Sequence, residues 1–205
     1  MAYEALTVGR EIALSYLNLS RAVVDATLQD GKFIDTMLAM TDAIADAMLA
    51  RGKLLTCGNG GSAGDAQHIA GEFISRLNYD RAPLAAVALT TDSSVLTAVG
   101  NDYGYEHVFE RQVRGLGQPG DVLLAISTSG KSPSILSAMR AAREKKMKVL
   151  AFTGKTGGLM PTLADLTLHA PSDSTPLIQQ VHIMAAHIVC GLVEQRLFPR
   201  LEPKP

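Results

Sequence analysis

Apolar residues along this chain fall into two rhythms. Between about residues 3 and 50 they recur every three or four positions. Phe33, Met37, Met40, Ile44, Ala47 and Met48 mark one stretch, and Ile12, Leu14, Leu17 and Val24 mark the stretch ahead of it. This spacing predicts two amphipathic helices with a break near Asp30-Gly31. Beyond residue 50 the pattern changes to short apolar runs at 54–57, 84–89, 122–126, 149–153 and 166–169. Such runs predict strands buried on both faces. Helical patterns separate them: one from Ser62, one after Asp92, one over about 105–116, one from Pro133 to the basic cluster at 143–148, a short one before 166, and a long one over 175–197. Strands alternating with helices mean βαβ units and a parallel sheet. The expected fold class is α/β in a single domain, 1–205, with a helical segment at 1–50 and an α/β core at 51–205.

Local signals refine the boundaries. Ser62 is the expected N-cap of the helix after the first strand, with Asp65 in its first turn. Asp92 is an expected cap as well, and Pro133 suits a first helical turn because it has no amide hydrogen to lose there. Gly100-Asn101-Asp102-Tyr103-Gly104 reads as a turn-rich break. In open parallel sheets ligands bind at the carboxyl ends of strands. Two polar loops, 58–62 and 127–132, fall at such ends.

Composition narrows the function classes. With 19 basic and 20 acidic residues and a formal charge of −1, no domain-wide basic field offers itself to nucleic acid. Cys57 and Cys190 make no disulfide framework and read as buried thiols in a reducing compartment. No signal peptide pattern opens the chain, and no apolar run approaches the roughly 20 residues that span a bilayer. The expectation is a soluble, cytoplasmic protein.

The loops carry candidate chemistry. Gly58-Asn59-Gly60-Gly61-Ser62-Ala63 fits the G-x-G-x-x-G/A dinucleotide pattern, but Asp92 is the only acid available to hold a ribose, and the signal alone is weak. Gly130-Lys131-Ser132 fails as a phosphate loop of the G-x-x-x-x-G-K-[ST] type, because its first glycine would stand at Ala125. Ser127-Thr128-Ser129-Gly130-Lys131-Ser132 is more informative. Its hydroxyls and amides, at the positive end of a helix, form a neutral cradle for one phosphoryl group. His68 and Glu72, four residues apart, point the same way from a helix and are a candidate metal pair. The last helix adds Gln179, His182 and His187. Gln179 lies about 60° from His182 and about 80° from His187 around that helix, so geometry alone leaves either histidine open as its partner. A buried histidine with a backbone partner is the default for the one left out.

Four separated stretches then add up to a family. CGNGGSAGDAQHIAGEF, TTDSSVLTAVGNDYGYE, DVLLAISTSGKSPSI and IQQVHIMAAHIVCGLVE together resemble the sedoheptulose 7-phosphate isomerases, the phosphoheptose isomerases of the sugar-isomerase (SIS) domain superfamily. The resemblance covers nearly the whole chain. It implies a flavodoxin-like three-layer sandwich with a five-stranded parallel sheet, two N-terminal helices used in oligomerisation, and a homotetramer with active sites between subunits. It also implies conversion of D-sedoheptulose 7-phosphate to D-glycero-D-manno-heptose 7-phosphate, the first step toward heptose precursors of lipopolysaccharide or capsule. Asn59, Gly60 and Gly61 are implied sugar contacts, and Asn101 and Asp102 are implied substrate contacts donated by a neighbouring subunit. Ser127, Thr128, Ser129 and Ser132 match phosphate-binding hydroxyls. His68, Glu72, Gln179 and His187 match a zinc site, which decides against His182, and Gln179 and Glu72 also touch substrate. Pro176 stands where some members carry a charged residue, so no substrate contact is carried over there.

The residue types suit the reaction. A ketose-to-aldose conversion moves a proton from C1 to C2 through an enediol(ate), with Glu72 as the expected base and His187 as its acid/base partner. Zinc would polarise the carbonyl. A carboxylate held by zinc is a poorer base, so Glu72 would alternate between the two duties. Two other readings compete. One is a non-catalytic superfamily member that binds the replication initiator, which the ending Leu197-Phe198-Pro199 resembles but which lacks the carboxylate and the second histidine. The other is a sugar-phosphate sensor without turnover.

Overall fold

Alternate residues of each central strand enter different cores. In the computed structural model, which describes residues 2–200 and side chains from residue 8, β1 (Leu54–Gly58) sends Leu54 to one face and Leu55 and Cys57 to the other. β3 (Val122–Ser127) divides Val122, Leu124 and Ile126 from Leu123 and Ala125. β4 (Lys148–Thr153) divides Leu150 and Phe152 from Val149 and Ala151. Both faces are covered, which is why these strands read as unbroken apolar runs. Each fully buried Leu, Ile or Phe here contributes about 1.5–3 kcal/mol relative to an exposed one.

β2 (Ala86–Ala88) and β5 (Leu166–His169) complete a five-stranded parallel sheet in the order β2-β1-β3-β4-β5. This is the flavodoxin-like order, and its reversal point lies between β1 and β3. On one face lie α2 (Gly31–Leu49), α3 (Gly61–Ile74) and α7 (Thr175–Leu197). On the other lie α4 (Ser93–Tyr103), α5 (Val108–Leu116) and α6 (Pro133–Glu144). The expected three layers are present. At the amino ends of the strands, buried Asp121 accepts from the backbone N–H of Lys53 (2.9 Å) and Gln118 (2.8 Å) and pairs with Lys53 Nζ at 2.6 Å.

The helical start also matches its pattern. α1 (Ala2–Gln29) and α2 are separated by Asp30 alone, whose carboxylate accepts from the Phe33 N–H at 3.2 Å. Such a cap is worth about 1 kcal/mol. Phe33, Met37, Met40, Ile44 and Ala47 face the core, whereas Ile12, Leu14, Leu17, Leu19, Val24 and Leu28 of α1 are exposed.

Several local expectations are corrected. Gly60, at φ 56, is the N-cap of α3, and Ser62 lies buried within the first turn, with no acid there. The positive φ turns the chain two residues early and presses Ser62 onto Gly58, where a Cβ would meet the Ser62 carbonyl oxygen at 2.3 Å. Asn101, Asp102 and Tyr103 form the last turn of α4, not a break, and Gly104 at φ 95 ends it. Asp92 does cap α4, accepting from the Val95 N–H at 3.0 Å. β2 pairs over three residues of the expected six, because an edge strand has only β1 beside it. By length and mean apolarity alone α7 could cross a membrane, although polar residues interrupt its apolar runs as expected, and about half of it is buried in the fold as a core helix.

Candidate functional site

The reversal in strand order parts the loops that follow β1 and β3. Between them opens a cavity of about 310 Å³, lined by Asn59, Gly60, Gly61, Ser62, Ser127, Thr128, Ser129, Ser132, Thr175 and Gln179. Asn59 ties the loops together. Its Nδ2 donates to Ser132 Oγ at 2.8 Å and Ser134 Oγ at 3.0 Å, and its Oδ1 accepts from the Tyr105 hydroxyl at 2.9 Å. Ser132 begins α6 without capping it through its side chain, so its hydroxyl faces the cavity beside the unpaired first-turn amides.

The 127–132 loop is buttressed from outside. The Gly130 carbonyl accepts from the Leu159 N–H at 2.9 Å, and the Thr128 carbonyl from the Gly154 N–H at 3.0 Å. A Cβ at Gly130 would lie 1.9 Å from the Gly157 carbonyl oxygen, and Gly130 itself sits at φ 64. Only glycine allows this contact.

α3 and α7, whose first turns line this cavity, bring three donors together further along their lengths. His68 Nε2 lies 3.0 Å from Glu72 Oε1 and 3.0 Å from His187 Nε2, and all three groups can present an atom within 4.8 Å of the others. At most one hydrogen can sit between the two imidazole nitrogens, so at least one lone pair is aimed at its neighbour. Donors around a tetrahedral zinc at 2.0–2.1 Å sit roughly 3.3 Å apart. The donor set and its spacing therefore fit a zinc ion. Gln179 lies elsewhere on α7, against the backbone of Gly61, where a Cβ would meet its Nε2 at 2.4 Å. Among the described residues it makes no side-chain hydrogen bond to the three donors. Asn101 and Asp102 are exposed at the end of α4, with Asn101 Nδ2 donating to Asp102 Oδ1 at 2.8 Å, and neither lines the cavity.

His182 is the histidine left out, and it has the backbone partner that a left-out histidine was expected to have. Its Nε2 lies 3.1 Å from the Thr153 carbonyl oxygen, so that nitrogen carries the hydrogen. Burial pushes its pKa down to about 4, against the opposing pull of that hydrogen bond. Its Nδ1 and the Thr153 hydroxyl have no partner among the described residues. Burial likewise raises Cys57 and Cys190 to about 12, so neither thiol is a nucleophile at neutral pH. Asp65, one turn ahead of His68, has its pKa raised by burial, partly offset by His68, and its Oδ2 is buried without a partner among the described residues.

Some features of the site carried no sequence signal that was read: Tyr105, Ser134 and Thr175, and the buried pair Arg81 and Glu194. The last two lie 113 residues apart and join only through the fold.

The SIS domain family matches residues 15–154, and the flavodoxin-like sheet with a hydroxyl-lined cavity at its reversal point agrees with it. The chain belongs to the phosphoheptose isomerase family. It is 54% identical over 189 residues to the phosphoheptose isomerase of Burkholderia pseudomallei (strain 1710b), covering 90% of this chain and 96% of that protein. It is 53% identical over 183 residues to that of Bradyrhizobium sp. (strain ORS 278), covering 89% and 92%. Among solved structures, the phosphoheptose isomerase of Neisseria gonorrhoeae superposes with a TM-score of 0.85 at 40% identity, covering 91% of this chain and 98% of that one. The enzyme from Francisella tularensis gives 0.88 at 36% identity, with the same coverage.

Proposed function

We propose that the chain isomerises sedoheptulose 7-phosphate to the aldoheptose 7-phosphate, with zinc held by His68, Glu72 and His187 and with Gln179 as a further ligand. One observation carries this reading: α3 and α7, which bring the three donors together, also line with their first turns a neutral cavity rich in hydroxyls. A phosphate suits the 127–132 end, where Ser127, Thr128, Ser129 and Ser132 supply hydroxyls. The sugar then extends past Asn59, Gly60 and Gly61 toward the donors, with Asn101 and Asp102 reaching it from a neighbouring subunit.

Glu72 takes the C1 proton as a carboxylate and returns it to C2, leaving an enediolate between the two transfers. His187 moves a proton between the two oxygens. A zinc ion, when bound, polarises the carbonyl and steadies the negative charge that develops on its oxygen. The remaining residues position the substrate, and their protonation does not change. The exposed apolar stripe of α1 supports a homotetramer. The two reduced, buried thiols agree with a cytoplasmic setting. The replication-initiator reading is not favoured, since Glu72 and His187 are both present and the relatives at high coverage are isomerases.

The test is incubation with sedoheptulose 7-phosphate, with and without added zinc, following formation of an aldoheptose phosphate. Glu72→Gln is expected to lose about 10²–10⁴-fold in kcat, the usual contribution of a positioned base, while keeping its oligomeric state. Near-normal turnover in that variant would overturn the assignment of Glu72.

A further inference from the structure

The donors come from two helices, α3 and α7, that are far apart in sequence. What holds one against the other lies just beyond them. Glu194 follows His187 by seven residues, about two turns, and so lies on nearly the same side of α7. Its side chain has no exposed surface, and that of Arg81 is 3% exposed. Arg81 Nε donates to Glu194 Oε2 at 3.1 Å. The other Arg81 nitrogens turn to the end of α3: Nη2 donates to the Glu72 carbonyl at 2.8 Å, and Nη1 to the Phe73 carbonyl at 2.8 Å. Nη1 also reaches the carbonyl of Ala82 at 3.0 Å and that of Ser75 at 3.4 Å. Glu194 accepts in addition from the backbone N–H groups of Leu77 (3.0 Å) and Asn78 (2.8 Å).

The last carbonyls of a helix have no partner within it, and its final turn frays unless something else binds them. Here one guanidinium binds the carbonyl of Glu72 itself, and a carboxylate from α7 holds that guanidinium. Metal sites tolerate donor displacements of only a few tenths of an ångström. We propose that Arg81 and Glu194 are positioning residues for the metal centre, fixing the last turn of α3 against α7 and so placing the Glu72 carboxylate opposite His187. This rests on the reading that His68, Glu72 and His187 hold zinc. Neither residue lines the cavity.

A pair that merely stabilises the fold would lower the melting temperature and leave metal binding alone. The experiment separates the two roles with Glu194→Gln, Arg81→Lys and a control, Asp121→Asn, which breaks the ion pair with Lys53 ahead of β1 and β3 and touches neither α3 nor α7. Each protein, stripped of metal, is titrated with zinc against a chromophoric chelator well below its melting temperature. The cobalt-substituted absorption spectrum is recorded in parallel. Glu194→Gln and Arg81→Lys are expected to bind zinc about 10- to 100-fold more weakly, as outer-sphere changes do, with a shifted cobalt spectrum. Asp121→Asn is expected to melt earlier with wild-type zinc affinity. Wild-type affinity and spectrum in both pair variants would overturn the proposal, leaving a structural clamp. If Arg81→Lys does not fold, Glu194→Gln decides alone, since its carboxamide oxygen still accepts from a loop amide. An unmutated protein that binds no zinc, or His187→Ala binding as tightly as wild type, would instead overturn the zinc reading itself.

Discussion

Asn59 uses both ends of its amide inside the protein, donating to Ser132 and Ser134 and accepting from Tyr105. The loops after β1 and β3 are therefore joined before any ligand arrives, and little ordering remains to be done on binding. His182 shows the opposite economy. It is kept neutral in the fold with a pKa near 4, whereas unfolded it titrates near 6.5. Between those values the unfolded chain binds the extra proton, so stability falls as pH drops from about 6.5 toward 4. The full shift corresponds to roughly 3 kcal/mol. Urea unfolding at stepped pH is expected to show this slope in the wild type and to lose most of it in His182→Gln. An unchanged slope in that variant would place the linkage elsewhere. Glu194 acts lower on the scale. Burial alone would raise its carboxyl, but the amides of Leu77 and Asn78 and the Arg81 guanidinium outweigh it and hold it below the ordinary range. Its contribution is present above its unfolded pKa, near 4.5, and is lost only as pH falls through the folded value.

At the scale of elements, what could be read from sequence was what local chemistry decides. Asp92 caps its helix as expected because a carboxylate three residues before an amide needs nothing else, and the expected break at Asp30-Gly31 proves to be a cap of the same kind. The sheet was legible because its strands are covered on both faces. Ser62 was misassigned because Gly60 decides where α3 begins, and a positive φ has no periodic signature. His68 and Glu72 could be paired through helical geometry, but choosing between His182 and His187 needed either the resemblance or the fold. The Arg81–Glu194 pair was invisible, since nothing within either segment points to the other. The interlock at Gly130 is a further case of contact without pattern. Gly130→Ala would force its loop away from Gly157 and displace the hydroxyls of 127–132. Losing one charge-assisted hydrogen bond costs about 1.5 kcal/mol, so KM for the sugar phosphate is expected to rise at least about tenfold. Steady-state kinetics would show it, and an unchanged KM would mean that this loop does not hold the phosphate.

For the whole molecule, the largest group of exposed apolar residues lies along α1. Ile12, Leu17 and Leu28 are each more than half exposed along a single long helix, an apolar stripe that a lone subunit leaves in water. A second copy is the proposed cover. Light scattering on the wild type is expected to give four times 21.8 kDa, and the double change Ile12→Glu, Leu17→Glu to give smaller species. A monomeric wild type would end that reading. Asn101 and Asp102 are exposed and outside the cavity of their own subunit, and the proposed substrate contact by them depends on the same assembly.

α7 also has a place in time. It supplies His187 and Glu194 and covers the side of the sheet shared with α2 and α3. A ribosome makes it after every element it completes, and folding during synthesis proceeds from the amino end. Until α7 emerges, the sheet and its other helices hold an apolar face open to solvent, and His68 and Glu72 stand without their third donor. The nascent chain is thus sticky and short of one proposed ligand together, and a single docking event ends both conditions.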